Sequence, residues 1–400
     1  MKNLLVIGIL MLSTNVTGQV TGTDTTTNEP LNTAENIIAG NISQGVTLGA
    51  YAQIDYNQPF GDIVKRNGKL DVHRLVMFMG YKFNDRTHFV SEIEFEHVKE
   101  LYVEQAFLSY RIDEKLNFKA GLILIPMGIV NEYHEPPTYN GVERPNLDSK
   151  IVPTTWRELG AGFSGKFDDL SLKYQLYIFN GFNGYDGSGK FRGTDGFRKG
   201  RQKGANSFMS SPNLSTKIDY YGILGLKLGL AIYYGKSQSS LYDGLAMDDV
   251  NAVKTADSSV VGITMLGFDA RYQNKGFEAR AQYILAYASN TGQYNAFTGN
   301  DLGSQMTGYY VEAGYDVLRF FKTARNELMV FARYENYYTH AGVEKGTIKN
   351  DAYNRTDVTI GLGFKVADGA VFKADYQLFK NADTSVDNTN QFNLGVGIWF

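Results

Sequence analysis

The sequence predicts an all-β protein, a transmembrane antiparallel β-barrel of about 16 strands. Three observations lead there. The stretch Gln391 to Phe400 alternates without a break: Phe392, Leu394, Val396, Ile398 and Phe400 share one face, while Asn393, Gly395, Gly397 and Trp399 share the other. Segments of roughly 10 to 13 residues with the same period of two recur along the chain. Their connections switch between short turns and long loops. A soluble sheet would need a second layer over each apolar face. In a barrel that face meets lipid, and the sparse face lines a watery interior.

Each element is read in order. Lys2 and the apolar run Leu4 to Leu12 read as a secretory signal, because the run is shorter than the roughly 20 residues of a membrane-spanning helix. Residues 1–18 are expected to be signal peptide, 19–45 a flexible periplasmic lead rich in Thr, Asn and Asp, and 46–400 the barrel. Strands are expected at 46–58, 70–83, 88–98, 100–112, 116–125, 157–167, 170–180, 212–221, 223–235, 260–272, 276–288, 305–318, 326–338, 354–366, 370–381 and 389–400. No helical stretch interrupts them. Short links such as Asn84-Asp85-Arg86-Thr87 and Asp113-Glu114-Lys115 alternate with loops at 126–156, 181–211, 236–259, 289–304, 339–353 and 382–388, which are expected outside the cell. The outer link near Val98-Lys99 is very short, and Val103 and Glu104 break phase in 100–112, which predicts a bulge.

Composition excludes several classes. There is no cysteine, so a disulfide framework, a thiol nucleophile and a thiolate metal site are excluded. Abundant Tyr (27), Phe (25) and Gly (43) suits aromatic girdles and curved strands. A net charge of −3 gives no global signal for nucleic acid. The five histidines, His73, His88, His97, His134 and His340, show no metal-binding spacing, and no hydrolase elbow, Walker loop or dinucleotide fingerprint occurs. Neither an enzyme nor a cofactor is expected, and no metal site is read from the sequence.

The loop 126–156 is the third outer connection and holds five of the eight prolines: Pro126, Pro136, Pro137, Pro145 and Pro153. Proline lowers the entropy cost of a fixed conformation. The loop is therefore expected to be ordered, either folded inward to narrow the pore or packed as an outer cap. Glu132, His134, Glu143, Arg144, Lys150 and Arg157 are its candidate field-setting residues.

The stretch Asn131 to Asn146 and the stretch Ile151 to Glu158 resemble the phosphate-selective porin O/P family of Gram-negative bacteria, and an alternating strand ending on an aromatic residue resembles the assembly signal of outer-membrane proteins. The resemblance implies a 16-stranded outer-membrane barrel, often trimeric, whose third loop forms the constriction and whose basic residues favour anions. This chain departs from that last property. Glu132, Glu135, Glu143 and Asp148 outnumber Arg144 and Lys150 in the loop, and an anion filter needs a positive ring.

Positive charge lies elsewhere. Loop 181–211 carries Lys190, Arg192, Arg198, Lys199, Arg201 and Lys203 against Asp186 and Asp195, in a glycine-rich and flexible setting. It reads either as an anion-concentrating mouth or as a contact to lipopolysaccharide. The inward strand faces carry both signs, with Arg271, Arg280, Arg333 and Lys373 as candidate lumen cations and Glu92, Glu94 and Glu96 as a solvated acidic row or a cation site. The expected function is a passive diffusion channel for small hydrophilic solutes, with anions such as phosphate implied by the resemblance. The alternative is a surface binding or adhesion module with a closed lumen, motivated by the outer aromatics Tyr185, Tyr242 and Tyr294. Outer-membrane lipid, lipopolysaccharide and two further copies of the chain are the expected partners.

Overall fold

A computed structural model describes residues 31–39, 44–61, 65–321 and 326–400. Sixteen strands close into one antiparallel barrel. They are β1 (Gly45–Phe60), β2 (Lys69–Asn84), β3 (Thr87–Glu96), β4 (Glu100–Arg111), β5 (Asn117–Leu124), β6 (Arg157–Phe167), β7 (Leu172–Phe179), β8 (Asn213–Ile223), β9 (Leu226–Lys236), β10 (Gly262–Asn274), β11 (Phe277–Ser289), β12 (Gln305–Asp316), β13 (Glu327–Gly342), β14 (Asn354–Ala367), β15 (Ala370–Asn381) and β16 (Thr389–Trp399). Each pairs with its neighbours in sequence, and the seam joins β1 to β16 with Tyr51 opposite Trp399. Closure gives every strand of the barrel a partner on both sides, the condition for a sheet in lipid, although β4 meets β5 only over Ala106–Arg111.

The alternation sorts the side chains as the period of two requires. Leu75, Met77 and Met79 of β2, or Leu214 and Ile218 of β8, are exposed on the outside, while Val76, Phe78, Ser215, Lys217 and Asp219 are buried between them. Buried charge on the inner face is extensive: Asp269, Arg271, Glu312, Arg333, Glu335, Lys373 and Asp375 are all nearly inaccessible. A charge so placed is tolerated only with partners, and these have them.

Two bulges re-aim side chains. Between β3 and β4 the register slips at Glu92/Ile93, so that Gln105 faces Glu92 and Val103 faces Ile93. Glu104 is the extra residue, and both it and Gln105 are buried. This is the bulge expected from the broken phase. A second slip, at Gln53/Ile54 against β2, leaves His73 as the extra residue beside Arg74. The short outer link closes with His97 and Val98 both at positive φ, 53° and 63°.

Helices do occur, contrary to the purely period-two reading. The loop end carries short helices at Leu147–Lys150, Val250–Ser258 and Thr291–Thr298. The second begins where the Asp249 carboxylate accepts from the Asn251 and Ala252 amides, a cap that local propensity allows in a long loop. The expected signal peptide lies outside the described residues. Within the expected flexible lead, Thr33–Ala39 is helical, with Thr33, Ala34, Asn36 and Ile37 buried.

Candidate functional site

The loop between β5 and β6 organises the interior. It is pinned at its neck by Asn131, whose side-chain amide donates to the Ile125 carbonyl (2.7 Å) and the Trp156 carbonyl (3.1 Å) and whose oxygen accepts from the Trp156 amide (2.7 Å). Beyond the neck its partners lie on inward side chains around the barrel. Glu132 accepts from Gln175 of β7 (2.6 Å) and Lys217 of β8 (2.5 Å). The Lys227 ammonium donates to the Tyr133 hydroxyl, and the Arg271 guanidinium lies 4.5 Å over the Tyr133 ring. Arg280 donates to the Thr138 carbonyl at 2.6 Å, and Asn140 to Glu312 at 3.0 Å. Lys373 donates to the carbonyls of Pro136, Tyr139 and Gly141. Arg333 reaches the Glu143 carbonyl at 3.3 Å, and Asn57 donates to the Glu143 carboxylate at 2.9 Å. The four lumen cations singled out from the sequence thus bind the loop's backbone and rings, braced by Asp269, Glu278, Glu312 and Glu335.

The acidic row is not solvated, as one reading of the sequence had it. Glu92 and Glu94 are buried, with Arg74 3.5 Å from Glu94. His134 points into the same place, 3.3 Å from Glu104 and 3.7 Å from Glu92. Burial alone would lower the imidazole pKa, but the carboxylates of Glu104 and Glu92 raise it to about 10. Burial raises the neighbouring Glu135 carboxyl as well.

The basic loop 181–211 is ordered rather than flexible. Phe182, Phe191 and Phe197 are fully buried and pack with Trp156, Tyr233 and Tyr294; Phe182 stacks on Trp156 at 4.5 Å. Tyr294, read as an outer aromatic, is buried there, whereas Tyr185 and Tyr242 are partly exposed. Arg192 pairs locally with Asp195, Lys199 is exposed and Lys190 approaches Ser188 at 3.4 Å. The other three turn inward. Arg198 donates to the Thr154 carbonyl at 3.0 Å, Arg201 to the same carbonyl at 2.5 Å, and Lys203 lies 4.5 Å over the Tyr102 ring.

These side chains converge with Arg74, Arg144 and Arg157 on a cavity of about 280 Å³, also lined by His73, Glu94, Glu96 and Glu143. Six cations face three carboxylates. Burial, then the nearby Arg201 and Arg157, lower the Lys203 pKa below its ordinary 10.5. Burial and Arg144 press on Arg198 in the same direction, and burial and Arg198 on Arg201. Guanidiniums keep their protons, so the five arginines remain crowded as cations here. Lys150 lies near this group, its pKa lowered by burial and then by Arg355 and Arg198. The sequence missed Arg74, Glu104 and the lysines of β8 and β9. The phase slip beside His73 was the signal that Arg74 turns inward.

A closed barrel with an apolar outer belt and a charged interior is an outer-membrane porin fold, and such a protein lies in the outer membrane of a Gram-negative bacterium. No family profile matches the chain. An uncharacterized protein of Aquifex aeolicus is 32% identical over 344 residues, 84% of this chain and 76% of that protein, and this chain belongs to its family. Among solved structures, the outer membrane channel DcaP of Acinetobacter baumannii aligns with a TM-score of 0.59 at 13% identity, over 90% of this chain and 99% of that one. The anion-selective porin from Comamonas acidovorans aligns at 0.55 and 12% identity, over 90% and 100%. The trimer form of OmpT from Vibrio cholerae aligns at 0.51 and 13% identity, over 89% and 100%. These likenesses establish the fold.

Proposed function

We propose that the protein is a passive diffusion channel for small hydrophilic solutes with a preference for anions. The observation that carries this is the cavity where Arg74, Arg144, Arg157, Arg198, Arg201 and Lys203 outnumber the carboxylates. In this reading loop 126–156 is the internal partition that narrows the passage. The acidic surplus in that loop's sequence reaches the cavity only through Glu143, since Glu132 is held by Lys217 and Glu135 by Thr33. The cations that matter come from two loops and the wall together. Phosphate is the anion to try first, given the resemblance to phosphate-selective porins. A homotrimer is the assembly we propose, as OmpT of Vibrio cholerae has been solved in a trimer form.

Single-channel recording in planar bilayers tests this, with reversal potential under a salt gradient and phosphate titration. Anion-selective current that phosphate lowers is the expected result. Cation preference would overturn the anion part and leave a general porin.

A second reading is favoured by one observation. Trp156, Phe182, Phe191, Phe197, Tyr233 and Tyr294 form a fully buried aromatic block between loops and wall. If that block seals the lumen, the barrel is a binding module, and a folded barrel would pass no current.

A further inference from the structure

His134 stands in the loop, Glu92 on β3 and Glu104 at the bulge of β4. Their nearest ligand atoms all lie within 4.8 Å of one another. The separations are 3.3 Å from His134 Nε2 to Glu104 and 3.7 Å to Glu92. Two ligands about 2.1 Å from a tetrahedral ion stand about 3.4 Å apart. The three residues are buried, at 1% exposure for His134 and 0% for both carboxylates. Both ring nitrogens of His134, both oxygens of Glu92 and one of Glu104 have no hydrogen-bond partner. Buried polar atoms are normally satisfied, so a cluster of five in one place is a deficit that a ligand would fill. Around the ring stand Glu92, Glu104 and Glu135, with Arg74 on Glu94, Arg157 3.9 Å from Glu104 and Arg144 donating to the His134 carbonyl. An imidazole that ligates a metal gives up its second proton, which leaves four carboxylates to three guanidiniums. Tyr51 donates at 2.8 Å to Glu104 Oε2, the oxygen that faces His134, and so fixes the orientation of that carboxylate while leaving Oε1 without a hydrogen bond.

We propose that Glu92, Glu104 and His134 bind one divalent transition cation of the Zn²⁺ type, which ties loop 126–156 to the wall at β3 and β4. One imidazole with two carboxylates suits zinc and its neighbours rather than calcium or magnesium, which prefer oxygen alone. The cation would hold the loop on β3 and β4, where the His134 ring nitrogens make no close hydrogen bond, as Lys373 holds it on β15 through three carbonyls.

The test uses the full, untagged chain, stripped with chelator in detergent and loaded with Zn²⁺ alone, with Mg²⁺ in parallel. Elemental analysis after desalting is expected to find one zinc per chain and no magnesium. The thermal midpoint of the folded, heat-modifiable form is expected to rise by several degrees with zinc. His134→Gln and Glu92→Gln are each expected to lose the zinc, whereas His340→Gln keeps it. Zinc-edge absorption spectroscopy of the wild-type chain is expected to show one imidazole and oxygen ligands, which holds the proposal open to refutation even where a variant fails to fold. No retained zinc, zinc retained by both ligand variants, or a shell without imidazole would each overturn it. The first of these outcomes would make the cluster an imidazolium clasp.

Discussion

Lys373 and Tyr139 meet twice: the ammonium donates to the Tyr139 carbonyl at 2.5 Å and lies 4.0 Å from the centre of its ring. The same nitrogen serves the Pro136 carbonyl at 2.6 Å and the Gly141 carbonyl at 2.9 Å, which uses all three donors of an ammonium. The loop's tip is thereby fixed to β15. Replacing Lys373 with Met keeps the unbranched side chain to within one atom of its length and removes every donor. Each carbonyl left dry costs about 1–3 kcal/mol. The expected outcome is a thermal midpoint lower by several degrees, measured by heat-modifiable migration, with noisier single-channel current. An unchanged midpoint and a quiet channel would remove Lys373 from the role of anchor.

Lys203 gives the anion preference a pH dependence of definite sign. Burial, with Arg201 and Arg157 beside it, lowers its pKa below the ordinary 10.5, so its positive charge is lost at a lower pH than that of a free lysine. That positive charge disappears as pH rises. Anion selectivity, read as reversal potential under a salt gradient, should therefore decline as pH rises, at a lower pH than the ordinary lysine pKa of 10.5 would set. Lys203→Arg should flatten the decline, since a guanidinium stays charged where the lysine loses its proton. Lys203→Gln should show the alkaline selectivity already at neutral pH. A wild-type profile as flat as that of the arginine variant would place Lys203 outside the ion path.

Much of the barrel was legible because a strand in lipid must show one face to each solvent. All sixteen expected segments correspond to strands, and β16 displays the alternation directly, with Leu394 exposed and Asn393 buried. The bulge at Glu104 was legible as broken phase, since an extra residue shifts the period for everything after it. What escaped was placement across the barrel. Arg198 and Lys203 look like members of a solvated basic loop until Trp156 and Phe182 are seen to stack and draw that loop inward. Histidine spacing could not reveal His134 beside Glu92 and Glu104, because three separate elements bring them together. What the inward cations hold was hidden for the same reason: nothing in a strand's own period says that Lys373 will find carbonyls more than 200 residues away.

The seam should depend on the last residue through its backbone. The Ala50 amide donates to the Phe400 carbonyl and the Phe400 amide to the Ala50 carbonyl, both at 2.9 Å. The Phe400 side chain is largely exposed on the lipid side. Deleting Phe400 removes both bonds and leaves Ala50 unpaired at a membrane boundary. Phe400→Ala keeps both and gives up only apolar contact. The deletion is expected to lower the thermal midpoint more than the alanine change. Equal losses would show that the ring, not the pairing, secures the seam.

The helix Thr33–Ala39 stands against inward residues near the turn end of the barrel and should narrow that end. The Thr33 amide and hydroxyl both donate to Glu135 at 2.7 Å, and Glu35 pairs with Lys173 of β7. Ile37 approaches the wall where Gly80 leaves room: a Cβ on Gly80 would stand 2.1 Å from Ile37 Cγ2, closer than any real contact. The glycine's missing side chain is thus what admits the helix. Gly80→Val should expel Ile37 while leaving the β2 ladder intact, since β2 is extended there and valine suits a strand. Replacing residues 33–39 with a Gly-Ser run of equal length removes the apolar contact from the other side. Both changes are expected to raise single-channel conductance in planar bilayers, and Glu35→Gln should do so more weakly by breaking the pairing with Lys173. If conductance stays at the wild-type value in both the Gly80 variant and the replaced helix, the segment lies beside the ion path rather than across it, and its contacts with Glu135 and Lys173 serve only to secure the amino terminus.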